Sequence, residues 1–177
     1  MKSQRVYHEF TVRGLAIDPK SGLPVLLLVD LGGRLVLPIS IGSFEASAIM
    51  GRIEGRRPTR PMTHDLLRLV ILRLGATMTG LDIRGIEGGI FLGNLHLRLP
   101  DGRTDVIDCR PSDGIALAVR FGVPIRVAAS VLDAAQPMPE RDAQRAQFVA
   151  DDDDEGRARL AALLADMAPE DFGEFEM

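Results

Sequence analysis

Apolar positions in the first 41 residues fall into three runs separated by turn chemistry. Residues 5–17 alternate loosely, with Val6, Phe10, Val12 and Leu15 apolar, and predict a strand. Asp18-Pro19-Lys20-Ser21-Gly22 is a turn sequence. Residues 24–31 are almost continuously apolar, as in a strand covered on both faces. Gly32-Gly33 then turns the chain into a third strand over 34–41, completing a meander. Past residue 42 the period changes to that of a helix. Over 43–53, Phe44, Ala48 and Ile49 share a face, and Gly55 ends the run. Thr63 caps a second helix over 64–74, whose Leu66, Leu67, Val70, Ile71 and Leu74 make a wide apolar face. Strands follow at 77–86, 89–99 and 103–110, joined by Glu87-Gly88-Gly89 and Pro100-Asp101-Gly102. Ser112 caps a third helix running to Phe121, and Gly122 with Pro124 stops it. A short strand at 124–127 and a helical turn or two at 129–135 close this part of the chain.

The pattern predicts the α+β class: one mixed, curved β-sheet of about six or seven strands with three main helices. Pro137 and Pro139 mark a boundary, so a domain over residues 1–136 is followed by an acidic extension over 137–177. That extension holds an acidic linker, Asp151 to Glu155, and a short helix with Leu160, Leu163, Leu164 and Met167 at helical spacing. The helices opened at Thr63 and Ser112 echo each other weakly, which good capping chemistry alone explains.

Composition narrows the function. With 46% hydrophobic residues the chain can build a core. No Trp and a single Tyr argue against stacking bases on aromatic platforms. The lone Cys109 excludes an internal disulfide and a cysteine metal cluster. Residues 1–10 carry no apolar signal core, and no apolar run is long enough for a membrane span, so a cytoplasmic protein is expected. Charge is segregated. Residues 1–139 hold 17 Lys+Arg and 13 Asp+Glu, net +4, whereas residues 140–177 hold 4 and 12, net −8. A basic body suits a polyanionic partner, and the acidic tail can fold back on it in competition.

The densest candidate chemistry lies at the junction Asp108-Cys109-Arg110-Pro111-Ser112-Asp113-Gly114. Two carboxylates, a guanidinium and a hydroxyl gather there at a helix N-terminus, a place suited to an anion or a metal-bound phosphate. Phosphodiester hydrolysis needs an activated water and positive charge to offset the phosphoryl oxygens; metals held by carboxylates commonly supply both, with arginine assisting. Glu45, Asp65, Asp108 and Asp113 are the carboxylates on offer, and His64 the base. Asp65, Asp108 and Asp113 are the candidate ligands for a divalent metal such as Mg or Mn. Arg52, Arg56, Arg57, Arg60 and Arg110, with Ser112, are candidates for holding the nucleic-acid backbone. Each has a structural alternative. Asp65 and Asp113 can serve only the helix dipole, worth ~1 kcal/mol. Asp108 can be an ion-pair partner of Arg110 or Arg126, His64 a packing residue, Glu45 a solvated side chain, and the arginines a solvated loop. His8 and His96 suggest no role.

Three segments in order resemble the bacterial bifunctional nuclease domain family: residues 37–46 (LPISIGSFEA), residues 60–67 (RPMTHDLL) and residues 110–118 (RPSDGIALA). The resemblance spans roughly residues 5–135. Ser40 stands where the family commonly has a large aromatic, and Gly114 where it has Ala. The resemblance implies nuclease activity on DNA or RNA and a homo-oligomer, dimer or trimer. Glu45, His64, Asp65, Arg110, Ser112 and Asp113 fall on its motif positions, with Asp108 adjacent. The rival reading is a non-catalytic nucleic-acid- or protein-binding module in which the same motifs hold the fold together.

Overall fold

The computed structural model describes residues 6–18, 21–135 and 137–139. Strands β1 (Tyr7–Ile17), β2 (Pro24–Asp30) and β3 (Leu35–Ser40) form an antiparallel meander. The unbroken apolar run of β2 has a direct cause. Its Leu26 and Leu28 enter the main core, while Val25, Leu27 and Val29 enter a second cluster with Ala16 and Val36. Alternate residues point to opposite faces of a sheet, so a strand feeding two clusters has no polar positions to spare.

Helices α1 (Ser43–Ile53) and α2 (Thr63–Arg73) follow, and then a second antiparallel meander, β4 (Thr77–Glu87), β5 (Ile90–Arg98) and β6 (Thr104–Cys109). The chain continues through α3 (Pro111–Phe121), β7 (Ile125–Ala128), α4 (Ala129–Ala135) and a two-residue β8 (Met138–Pro139). The sheet order is β6-β5-β4-β7-β1-β2-β3-β8, with β4 and β7 the one parallel pair among the described residues. The expected α+β class with a mixed sheet and its main helices is therefore present. β8 carries the sheet past residue 136. The acidic linker and the 160–167 helix lie outside the described residues.

Two meanders flank β7, and each runs within three residues into a helix, α1 or α3. The repeat in this topology thus relates α1 to α3, not α2 to α3. α3 packs hard on β4: a side chain at Gly114 would run into Leu81 Cδ1 and lie 3.1 Å from Cys109 Sγ. Glycine at this position costs helix propensity but lets the N-terminus of α3 sit directly against the sheet.

Two helix starts differ from expectation. α3 begins at Pro111 with Arg110 as N-cap, because proline has no N–H to satisfy and its φ already suits a helix. Ser112 is therefore inside the helix and buried, not its cap. α2 begins at Thr63 with Met62 as N-cap. Consequently Glu45, Asp65 and Asp113 each occupy the third position of a helix. The apolar face expected of α2 is also mostly uncovered. Only Ile71 is buried, while Leu66 is 56% and Leu74 71% exposed. α2 packs mainly on α3 rather than on the sheet, which leaves much of its surface uncovered by the other described residues. No helix of the described residues is long and apolar enough to cross a membrane.

Candidate functional site

The starts of α1, α2 and α3 meet at one network. Arg110 donates from Nε to Asp113 Oδ2 at 2.7 Å and from Nη2 to Asp113 Oδ1 at 3.1 Å, and its Nη2 also pairs with Glu45 Oε1 at 2.8 Å. His64 Nε2 lies 3.2 Å from Asp113 Oδ1. The local sequence explains the convergence. Gly42, the N-cap of α1, leaves space in which Glu45 folds back; a Cβ there would meet its carboxylate. Three carboxylates at third helical positions also sit where free N–H groups and the helix dipole favour negative charge.

Asp113 is held at a pKa of about 2, chiefly by the hydrogen bond with His64 and then by Arg110, against a burial that opposes ionisation. An ionised carboxylate only accepts hydrogen bonds, so the His64 nitrogen facing it, Nε2, carries the proton. Nδ1 is then the ring nitrogen turned away from Asp113.

A second node lies beside the first. Arg120, with its side chain only 6% exposed, donates from Nε to Asp65 Oδ1 at 2.7 Å, and from Nη1 to Ala48 O at 3.0 Å and Ala116 O at 2.9 Å. One guanidinium therefore ties all three helices together. Burial pushes the Asp65 pKa up, but the Arg120 hydrogen bond and the Met62 N–H outweigh it, and the net shift is downward. Asp65 Oδ2 accepts that N–H at 3.2 Å. Both oxygens are thereby engaged, which gives Asp65 the position of a clamp.

Both nodes line a cavity of about 900 Å³. Eight of the nominated residues are on its wall: Glu45, His64, Asp65, Asp113 and Arg110, with Arg52, Arg56 and Arg57 opposite the carboxylates in charge. Six arginines on the wall face three carboxylates, a clear positive excess. Two of those arginines, Arg68 and Arg120, escaped the sequence reading. The available signal was a cation inside an otherwise apolar helical run, LLRLV around Arg68 and LAVRF around Arg120.

Three nominated residues lie elsewhere. Asp108 is on β6, its side chain 74% exposed, and pairs with Arg84 Nη2 at 3.0 Å rather than with Arg110 or Arg126. It projects from the strand before the helix turn, so closeness in sequence to Asp113 does not bring it to the cavity. Arg60 is exposed and off the wall, and Ser112 is buried within α3. The expected ligand set Asp65, Asp108 and Asp113 therefore does not fit a shared divalent ion. Among the described residues no three His, Cys, Asp or Glu side chains gather with metal-holding geometry.

His96, given no role by its sequence, does have a partner. Its Nε2 is 2.8 Å from Asp82 Oδ2, and Arg126 Nε takes Asp82 Oδ1 at 2.7 Å. The near-complete burial of Asp82 explains why both its oxygens are paired. Cys109 is half-buried, and burial together with Asp113 and Asp108 raises its thiol pKa to about 11, so it is no nucleophile.

Comparison with known proteins bears on the family of the chain. The family model described as the bifunctional nuclease domain matches residues 25–140, which contain both nodes. Two proteins of Mycobacterium tuberculosis, from strains CDC 1551 / Oshkosh and H37Rv, are each 36% identical over 166 residues. The match covers 93% of this chain and 97% of each of them, and both are described as uncharacterized.

Proposed function

Since the chain belongs to the bifunctional nuclease domain family, which suggests a nuclease-like or nucleic-acid-binding role, we propose that its arginine-walled cavity binds a DNA or RNA strand and hydrolyses it. The carrying observation is the histidine–carboxylate pair, His64 with Asp113, on the wall of a cavity with a net positive lining. Asp113 fixes the tautomer and ring of His64 and favours the imidazolium that forms, as a carboxylate does in other histidine-based sites. His64 Nδ1 takes the proton of the attacking water, or of a ribose hydroxyl in RNA. The new O–P bond forms as the bond to the leaving oxygen breaks, and solvent protonates that oxygen. Arg52, Arg56 and Arg57 offset the charge on the phosphoryl oxygens. Glu45 and Arg110 position Asp113, and Asp65 with Arg120 positions α2. No step is assigned to a metal.

The non-catalytic reading has an observation of its own: both Asp65 and Asp113 are already paired with arginines, as structural carboxylates are. Cleavage of labelled DNA and RNA by the pure protein, in chelator and in Mg²⁺, separates the two. The proposal expects product in chelator; binding with no product in either condition favours the binding module. Product in Mg²⁺ alone would contradict the metal-free assignment.

The same reading includes a cytoplasmic location and assembly into a dimer or trimer. The exposed leucines of α2 provide the surface for that assembly. The acidic residues 151–155 compete with nucleic acid for the arginine wall, on grounds of charge alone.

A further inference from the structure

Arg68 is the cavity residue whose chemistry is least accounted for. Its guanidinium lies over the Phe121 ring, 5.4 Å from the centroid, which fixes where it points. Its Nε is shielded from solvent and has no hydrogen-bond partner among the described residues. Among the described residues no carboxylate pairs with it. Asp65, the nearest acid in sequence, is occupied by Arg120 and the Met62 N–H. The guanidinium is thus held in place by Phe121 with its charge unpaired by any described carboxylate, which leaves its terminal N–H groups for an anion.

Arg68 lines the same cavity as His64, so its terminal N–H groups are the ones that can meet a ligand oxygen. Contacts between α2 and α3 step along both helices in the same order: His64 with Asp113, then Arg68 with Phe121. His64 and Arg68 are four residues apart, hence on one face of α2 and ~6 Å apart along its axis. That separation is too long for one phosphate group and is on the scale of a nucleotide step. We propose that Arg68 forms a second phosphate subsite, holding the phosphate next to the one processed at His64. The cavity is then built for a strand with at least two consecutive phosphates rather than for an isolated phosphodiester. This rests on the nucleic-acid reading above and adds a substrate preference to it.

The test measures binding in a His64→Gln background, so that ligands are not consumed. The probes are a dithymidine monophosphate with one phosphodiester, the same molecule with an added 5′- or 3′-phosphate, and a 20-nucleotide strand. Arg68→Ala and Arg68→Lys are compared with Arg68, with circular dichroism and thermal melting as folding controls. With Arg68 present, the added phosphate at one end tightens binding about tenfold. Arg68→Ala reduces that gain to within twofold, and Arg68→Lys keeps part of it, because a point charge replaces a fixed fork. In the 20-nucleotide strand, Arg68→Ala lowers the slope of log K against log salt by about 0.7, one phosphate contact. No gain from the second phosphate at either end, or an equal gain in folded Arg68→Ala protein, overturns the subsite while leaving the nucleic-acid reading intact. Failure of both variants to fold assigns Arg68 to the scaffold and overturns it as well. Failure of even the 20-nucleotide strand to bind overturns the nucleic-acid reading and the subsite together.

Discussion

Asp113 is hydrogen-bonded by His64 of α2 and by Arg110, the N-cap of its own helix, and its acidity records both. With a folded pKa of about 2 against an ordinary 3.8, it stabilises the fold fully above pH 3.8. That contribution disappears as pH falls toward 2 and the carboxylate is protonated. Urea unfolding of the parent should lose up to ~2 kcal/mol more between pH 5 and pH 2 than Asp113→Asn does. Equal losses would show that His64 and Arg110 do not hold the charge. Asp65 titrates in the same direction and adds to the acid sensitivity of the parent and the variant alike. At this scale the sequence was a good guide to some side chains and a poor one to others. Glu45, His64, Asp65, Arg110 and Asp113 were readable because helix starts announce themselves through capping chemistry. Asp108 misled because sequence proximity ignores the turn at Pro111, after which the chain leaves the strand. Arg120 was invisible because its partners, Asp65 and Ala48, come from other helices.

At the scale of elements, hydrophobic periodicity located the strands and helices closely, since period two and period 3.6 differ plainly. It did not tell which apolar face is buried. α2 has as many leucines as a core helix, yet it lies outside α3, a relation that depends on packing order rather than on its own pattern. The join between these helices is Arg120, whose guanidinium reaches Asp65 on α2 and carbonyls on α1 and α3. Removing it leaves Asp65 with the Met62 N–H alone and takes the side-chain donor from two carbonyl oxygens in a buried place. Arg120→Ala should therefore destabilise by ~3–5 kcal/mol, seen as a large drop in Tm. A loss below ~1 kcal/mol would mean the three helices are held by apolar contact alone.

At the scale of the whole molecule, two surfaces carry the proposed partners. The proposal seats a second copy of the chain on the exposed leucines of α2. Light scattering should find a dimer or trimer for the parent and a monomer for Leu66→Glu with Leu74→Glu; a monomeric parent contradicts this. The basic wall and the acidic residues after 139 make opposite charges available within one chain. A chain ending at residue 139 should bind single-stranded DNA more tightly at low salt than the full chain, with the difference shrinking as salt rises. Unchanged or weaker binding would free the tail from any competing role.

The central claim is that the wall shared by α1, α2 and α3 does the chemistry, and the exposed acid of β6 does not. The most direct measurement is single-turnover cleavage of one labelled strand by four pure proteins: parent, His64→Gln, Asp113→Asn and Asp108→Asn. The account predicts a loss of at least ~10²-fold for the first two substitutions, within the range of general-base catalysis, and a parental rate for Asp108→Asn. Parental rates in His64→Gln and Asp113→Asn, or a collapse in Asp108→Asn alone, would contradict it.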